Sequence, residues 1–164
     1  MSCFVAWGDK LASEGPAAFY SADYFADYPP GYILVLGLVS LVRKALQLSY
    51  ESRWTYFLLA LIPAICDCAA VVLLDHISRR YMGQGRAQRC LVLFAAFCPL
   101  TLFDTGIWKQ IDGAFALPLL LCFWLLEERR YLLAAVLYGV ALAIKPQALL
   151  AGPVLAVCFL VAIA

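Results

Sequence analysis

The chain has few charged residues for its length. Of its 164 residues, 14% are charged and 65% are hydrophobic, with a mean hydropathy of +0.88, whereas a soluble domain carries about 25% charged residues. This balance excludes an ordinary soluble domain, and a net charge of +1 gives no support for nucleic-acid binding. The N-terminus lacks the basic and apolar regions of a signal peptide, and the seven cysteines include no C-x-x-C pair. We interpret the cysteines, most of which lie in apolar runs, as packing residues.

The rest of the chain is a series of apolar segments. A spanning helix needs about 20 residues, so the shorter segments cross a membrane only with tilt or partial insertion. A sixth segment, 31–42, spans only if it continues to about Leu48 with Arg43 and Lys44 paired or snorkelling. The sequence therefore predicts an all-α, polytopic integral membrane protein with about five to six transmembrane or partly inserted helices. The five longer segments lie at about 54–75, 89–107, 113–126, 131–145 and 147–164.

Residues 1–30 differ from the rest, because they are acidic and rich in aromatic side chains at close to helical spacing. That pattern is typical of short helices at the membrane interface, and it fits an ordinary extramembrane arm equally well. We predict that 1–30 form an extracytoplasmic, juxtamembrane amphipathic segment and that 31–164 form a transmembrane helical bundle. The aromatic residues are Phe19, Tyr20, Tyr24, Phe25 and Tyr28.

The arginines predict the orientation. Four of them cluster in or next to 76–89, so the positive-inside rule places this segment in the cytoplasm. Alternate crossings then place 108–112 and 145–147 together on the extracytoplasmic face. For 1–30 to lie outside as well, either 31–48 is a partial or re-entrant helix, or 54–75 is broken at Pro63 and Asp67. We favour the first alternative because 54–75 is the longer run.

Three polar motifs interrupt the apolar chain, and within a membrane such groups usually mark a substrate or ion pathway. Their order and spacing resemble those of GT-C superfamily membrane glycosyltransferases, in particular bacterial polyprenyl-phosphate-sugar-dependent mannosyltransferase-like proteins. A weaker resemblance is to eukaryotic lipid-linked-oligosaccharide glucosyltransferases. The motifs are Asp27-Tyr28-Pro29-Pro30-Gly31-Tyr32, Trp108-x-Gln110-x-Asp112 and Lys145-Pro146-Gln147.

The resemblance implies a polytopic enzyme with an extracytoplasmic active site, residing in the bacterial inner (plasma) membrane. It implies inverting transfer of a mannose-type hexose from a polyprenyl-phosphate donor to a glycan, lipid or protein acceptor, without a metal or another cofactor. Lys109 stands where relatives more often carry a small residue.

Family members of this kind also carry a first transmembrane helix that ends in an Asp, the main catalytic base, and further helices after the matched region. The resemblance places that base upstream of Met1 in the numbering of this chain. We therefore expect the chain to be a fragment that is inactive by itself.

The chemistry of transfer requires a carboxylate near the acceptor hydroxyl and a cation near the departing phosphate. Within the chain, we predict that Asp27 and Asp112 are the catalytic candidates and that no residue binds a metal. Lys145 is our candidate for the phosphate contact. The predicted substrate-binding residues are Tyr28, Trp108, Gln110, Lys145 and Gln147.

Each of these residues also has a structural alternative. Lys145 can snorkel to the membrane interface, Trp108 can belong to the aromatic belt, and Asp27 can cap the next helix. Gln147 can cap a helix in the same way. On a regular helix Gln110 and Asp112 point about 200° apart, so they share a site only if 108–112 is a loop or a helix end.

Two other functional classes remain open. A transporter or flippase would also show broken helices and intramembrane polar groups, but the two halves of this chain show no convincing internal repeat. A non-catalytic assembly subunit would not need tryptophan, glutamine, aspartate and lysine on one face.

Overall fold

The fold is helical throughout the part of the chain that is described. The computed structural model describes residues 2–20, 23–108 and 110–163, with the side chains of 2, 162 and 163 excepted. All regular secondary structure in these ranges is helical, which confirms the all-α prediction. The α-helices are α1 (Ser2–Glu14), α2 (Pro16–Phe19), α3 (Pro30–Ala45), α4 (Arg53–Met82), α5 (Arg86–Ala96), α6 (Pro99–Phe103), α7 (Asp112–Glu127), α8 (Tyr131–Ile144) and α9 (Gly152–Ile163), with a π-helical turn (Asp104–Trp108) and a 3₁₀-helix (Pro146–Ala151).

Helix α4 is the longest and runs without interruption through the buried Pro63. The alternative in which 54–75 is broken at Pro63 and Asp67 is therefore not observed. The apolar run ends near residue 75, yet the helix continues to Met82. One reason is that Asp75 and Arg79 form an ion pair one helical turn apart, which stabilises a polar helical segment.

The segment from Arg86 to Trp108 bends where α5 gives way to α6. Proline has no backbone N–H and disfavours helical backbone in the residue before it. Cys98, which precedes Pro99, accordingly has extended-type backbone angles of φ −60° and ψ 118°.

Two helical segments are long and apolar enough to cross a membrane, Arg53–Met82 with 30 residues and Arg86–Trp108 with 23. Helices α7, α8 and α9 have 16, 14 and 12 residues. At 1.5 Å per residue these three measure about 24, 21 and 18 Å, against a hydrocarbon core of about 30 Å. The predicted count of five to six spans is therefore not confirmed.

The helices pack around two apolar clusters. The first joins α1 and α3 through the buried side chains of Trp7, Tyr32 and Leu36. The second joins α7, α8 and α9 through Cys122 and Leu155. Helix α4 packs against α7 and so connects the two parts.

A polar cluster ties α1 to the end of α3. Asp9 accepts two hydrogen bonds from Arg43 Nη2, at 2.7 and 2.9 Å, and one from the Ser40 hydroxyl. Arg43 also donates to the Leu48 carbonyl at 2.9 Å. Burial raises the pKa of Asp9, but the hydrogen bonds from Ser40 and Arg43 and the charges of Arg43 and Lys44 outweigh it, so the pKa lies below its ordinary value. Of the two alternatives for Arg43, pairing or snorkelling, the structure shows pairing, with Asp9 of α1.

We expect Asp9→Asn to lower the free energy of unfolding by about 1–3 kcal/mol at neutral pH, because charge-assisted hydrogen bonds to Arg43 are lost. Because its pKa is lowered, the Asp9 carboxylate stabilises the folded protein at pH values above the ordinary carboxyl pKa of 3.8. That stabilisation disappears as the pH falls through the lowered pKa, so the difference between the two proteins narrows in acid. Thermal unfolding of the two proteins, followed by circular dichroism at several pH values, measures this difference in stability. Asp23→Asn, at an exposed turn, is the control, and an equal effect of the two substitutions would contradict the assignment.

Candidate functional site

The start of α3 and the end of α8, each set by a proline, meet at a cleft of about 490 Å³. Pro29 has extended backbone, and Pro30 begins α3. At the other side, Pro146 ends α8 because proline excludes helical backbone at Lys145, whose φ is −147° and ψ 126°. The cleft is lined by Asp27, Tyr28, Pro29, Lys145, Pro146, Gln147, Leu149 and Leu150.

A close helix crossing holds the two sides of this first cleft together. A Cβ atom on Gly31 of α3 would lie 2.6 Å from the carbonyl oxygen of Ala143 in α8. The absence of a side chain at Gly31 therefore lets the backbones of α3 and α8 approach closely. Asp27 and Tyr28 precede this crossing, and Lys145 follows it by two residues.

The loop that carries Tyr28 is also fixed from α1. Trp7 Nε1 donates to the Phe25 carbonyl at 3.1 Å, and the Tyr20 hydroxyl donates to the Tyr28 carbonyl at 2.8 Å. The Tyr28 ring lies 5.7 Å from the Trp7 ring. Burial, together with the nearby carboxylates of Asp27, Asp112 and others, raises the pKa of Tyr28. Its phenol therefore stays protonated at neutral pH and can donate a hydrogen bond.

A second cleft of about 380 Å³ lies where the π-helical turn meets the start of α7. It contains three carboxylates and the exposed ring of Trp108. Thr105 donates a hydrogen bond of 2.5 Å to Asp67 of α4. Gly113 allows α7 to approach α4, since a Cβ atom there would overlap the Asp67 carboxylate and lie 2.8 Å from the Pro63 carbonyl oxygen. The lining residues include Asp67, Thr101, Asp104, Thr105, Trp108, Asp112 and Gly113.

An ion pair between Lys145 and Asp112 joins the two clefts. Lys145 lines the first cleft and Asp112 lines the second. The Lys145 side chain is only 15% exposed, whereas the Asp112 side chain is 49% exposed. The cation is thus held at the boundary of both clefts by a carboxylate that remains open to solvent or ligand.

The predicted site residues fall into two groups. Asp27, Tyr28, Lys145 and Gln147 line the first cleft, and Trp108 and Asp112 line the second. Gln110 lines neither of these two clefts. Its backbone N–H donates to the Asp104 carbonyl at 3.0 Å, and it lies outside any helix, as sharing a site with Asp112 requires.

Two expectations from the sequence concern positions that the structure does not describe. Met1 and Lys109 both lie outside the described residues. The expectation that the main base of the family lies upstream of Met1 stays a prediction. The crowding that a long cation at Lys109 would cause is likewise untested.

The structure bears on two of the structural alternatives. Lys145 forms an ion pair with Asp112, and whether this pair lies at the membrane interface stays a prediction. Asp27 does not cap α3, whose N-terminus at Pro29 has no side-chain cap. Within the described ranges Asp27 forms neither a hydrogen bond nor an ion pair. Its carboxylate is therefore open to the first cleft.

The structure adds Asp67, Asp104 and Thr105 to the site, none of which was assigned a role in it from the sequence. A signal for Asp67 existed, since an isolated carboxylate in an apolar run is costly in a membrane without a partner. The hydrogen bond that Thr105 donates to Asp67 supplies such a partner.

A third, largely apolar cleft of about 370 Å³ lies between α4 and the α5–α6 segment. It shares Asp67, Thr101 and Thr105 with the second cleft. The polar and apolar clefts therefore form one continuous surface. Nowhere in the described ranges do three or more His, Cys, Asp or Glu side chains form a group that could hold a metal ion.

Comparisons with known proteins give one result. The family model of glycosyltransferase family 87 matches residues 25–162, which contain both polar clefts and the ion pair between them. No curated protein and no solved structure matches the chain. Because the match covers more than half of the sequence, the chain belongs to glycosyltransferase family 87.

Proposed function

We propose that this protein is a GT-C-type membrane glycosyltransferase that moves a mannose-type hexose from a polyprenyl-phosphate donor to an extracytoplasmic acceptor. The observation that carries the proposal is the position of Lys145. Its ammonium group lies between a cleft that contains an unpaired carboxylate and a cleft that continues into an apolar groove. These are the three environments that an acceptor hydroxyl, a sugar phosphate and a lipid chain require.

Lys145 is proposed to bind the donor phosphate. In the free protein Asp112 neutralises the cation and holds it in place. A phosphate approaching from the second cleft adds a second anion to the same ammonium group, and the charge that develops on the departing phosphate strengthens that contact. Asp112 is then a positioning residue for Lys145.

Asp27 is proposed to accept the acceptor proton in place of the base that the resemblance puts upstream of Met1. This proposal departs from the expectation that the chain is inactive by itself. As the acceptor oxygen bonds to the anomeric carbon, the bond from that carbon to the phosphate oxygen breaks. The hydroxyl proton passes to the carboxylate, and polyprenyl phosphate leaves. A single displacement of this kind inverts the anomeric configuration. Asp27 suits this role better than Asp112, because protonating Asp112 would break its ion pair with Lys145.

The other residues are proposed to contact the sugar and the lipid. The exposed Trp108 ring offers a face on which a hexose can stack. Tyr28 and Gln147 offer hydrogen-bond donors in the first cleft. The apolar cleft between α4 and α5–α6 suits the isoprenoid units next to the phosphate. The apolar isoprenoid chain of the donor is more stable in such an apolar groove than in a water-filled pocket.

The proposed orientation places the site on the extracytoplasmic face of the bacterial inner membrane. Arg80 pairs with Glu128 at one end of α7, and Asp112 pairs with Lys145 at the other. The 16 residues of α7 separate these ends by about 24 Å. The positive-inside rule assigns the arginine-rich end to the cytoplasm, so the Asp112–Lys145 end faces outward.

The test uses membranes that contain the protein and mannose labelled on its sugar carbons. We expect transfer of label from polyprenyl-phosphate mannose to the acceptor pool with inverted configuration, and none from guanosine diphosphate mannose. Transfer from the nucleotide sugar alone would contradict the proposed donor. Movement of intact lipid-linked sugar across the bilayer without transfer would instead identify a flippase.

A further inference from the structure

An arginine-lined cleft lies at the end of the bundle opposite the Asp112–Lys145 pair. It occupies about 390 Å³ where α4 ends and α5 begins, between the two candidate membrane spans. We refer to it as the arginine cleft. It shares no residue with the two polar clefts described above. The lining residues are Asp75, Arg79, Gln84, Gln88, Arg89, Val92 and Leu93.

One side of the arginine cleft is fixed by buried hydrogen bonds. Gln88 is only 4% exposed, and its Nε2 donates to Asp75 Oδ1 at 2.6 Å and to the Ser78 hydroxyl at 3.2 Å. Asp75 in turn accepts from Arg79 Nε at 3.0 Å. Arg79 therefore occupies a defined position before any ligand arrives.

The charge at this end of the bundle is positive. Arg80 forms ion pairs with Glu127 and Glu128 at the C-terminal end of α7. The side chains of Arg86 and Arg89, by contrast, form no hydrogen bond or ion pair within the described ranges. Among the residues that the structure describes, Asp75 is the one carboxylate lining the cleft, and Arg79 already pairs with it. An anion that enters the cleft thus meets the unpaired guanidinium of Arg89 and the outer edge of Arg79.

The opposite wall of the arginine cleft is apolar. Val92 and Leu93 line it, and the exposed rings of Phe94 and Phe97 continue the apolar surface along α5. Phe94 and Phe97 are each 69% exposed in a segment long enough to span a membrane, and such a surface suits contact with lipid chains. An occupant that fits both walls has an anionic head and an apolar tail.

We propose that the arginine cleft binds an anionic phospholipid, with its phosphate on Arg89 and Arg79 and its acyl chains along Val92 and Leu93. Arginine guanidinium groups bind phosphate oxygens in a forked geometry, and basic pockets at helix ends suit lipid headgroups. This inference goes beyond the proposed transferase function and requires none of its residues. A soluble phosphate shares the head chemistry but gains nothing from the apolar wall.

The test titrates phosphatidylglycerol into the detergent-solubilised protein and measures bound lipid by native mass spectrometry. We expect phosphatidylglycerol to bind more tightly than phosphatidylcholine. Each of Arg89→Gln and Arg79→Gln should weaken phosphatidylglycerol binding by about ten-fold, the effect of losing one charge-assisted hydrogen bond to the phosphate. Arg130→Gln removes one charge from the same end but lines no part of the cleft, and it should leave the affinity unchanged. Thermal unfolding establishes that each variant is folded.

Two outcomes overturn the proposal. Equal weakening by Arg89→Gln and Arg130→Gln would show that the lipid responds to diffuse surface charge. If inorganic phosphate displaces the lipid from the wild-type protein, and this displacement is absent in Arg89→Gln, the ligand of the cleft is a soluble phosphate. Because the Arg89 side chain is exposed and forms no ion pair within the described ranges, its substitution leaves the ion pairs described here intact.

Discussion

Lys145→Met should lower the rate of sugar transfer by about 10²–10³-fold, the loss found when one preorganised group that stabilises transition-state charge is removed. Methionine keeps the length of the side chain but not the charge. The donor phosphate then has no cation at the boundary of the two clefts, and Asp112 loses its partner. Initial rates with polyprenyl-phosphate mannose in membranes measure the effect.

The matched control is Lys44→Met. Lys44 lies at the end of α3, is 45% exposed, and approaches Asp9 only at 3.9 Å. Its substitution removes the same charge at a distance from both clefts, so transfer should stay within two-fold of the wild-type rate, about the change that 0.4 kcal/mol produces. Equal losses in the two variants would show that Lys145 contributes only to the overall charge of the protein.

Asp112→Asn separates positioning from charge at the same site. The Lys145 cation remains, but the carboxylate that holds it is gone. If Asp112 is a positioning residue, transfer falls by about ten-fold to 10²-fold, less than in Lys145→Met, and the double variant resembles Lys145→Met alone. Additive losses would assign Asp112 an independent role in the reaction.

Gly31→Ala should lower transfer by about 10²-fold, because displacing reactive groups by about 1 Å has that effect. The added Cβ would lie 2.6 Å from the Ala143 carbonyl oxygen and 2.7 Å from its carbon. Both are backbone atoms, so α3 and α8 must move apart. That movement separates Asp27 and Tyr28 from Lys145. Overpacking of this kind also lowers the free energy of unfolding by about 1–3 kcal/mol.

Gly139→Ala is the control for Gly31→Ala. Gly139 lies in α8, one turn before Ala143, and nothing stands within 4 Å of an added Cβ. Transfer should be unchanged, and the helix should gain about 0.5–1 kcal/mol because alanine loses less backbone entropy than glycine. Transfer rates and thermal unfolding in the same detergent compare the two variants. Wild-type transfer in Gly31→Ala would show that the α3–α8 crossing does not position the site.

The helix ends could be predicted where proline sets them. Pro30 and Pro146 fix where α3 begins and where α8 ends, since both restrictions are local. The predicted segment 131–145 therefore agrees with α8 to within one residue. The polar part of α4 beyond residue 75 was not predicted. An apolar run identifies only the apolar part of a helix, whereas the helix itself continues as long as its backbone hydrogen bonds continue.

The number of spans could not be settled by hydropathy. A window of apolar residues reports composition, but crossing a bilayer also needs helical length. The predicted segments 113–126 and 147–164 form helices of 16 and 12 residues, the second after a 3₁₀-helix. How such short helices sit in a membrane depends on their packing against α4 and against one another, which composition does not encode.

The sequence by itself determined the helical class, the apolar character and the polar motifs at residues 27–32, 108–112 and 145–147. These features follow from the backbone restrictions of single residues and from the cost of placing polar groups in an apolar chain. Both are local properties, so the sequence alone contains them. Only the tertiary structure decided that Lys145 pairs with Asp112, 33 residues away, and that Thr105 pairs with Asp67, 38 residues away. Those pairs depend on how closely helices cross at Gly31 and Gly113, and a crossing distance is set by two surfaces together.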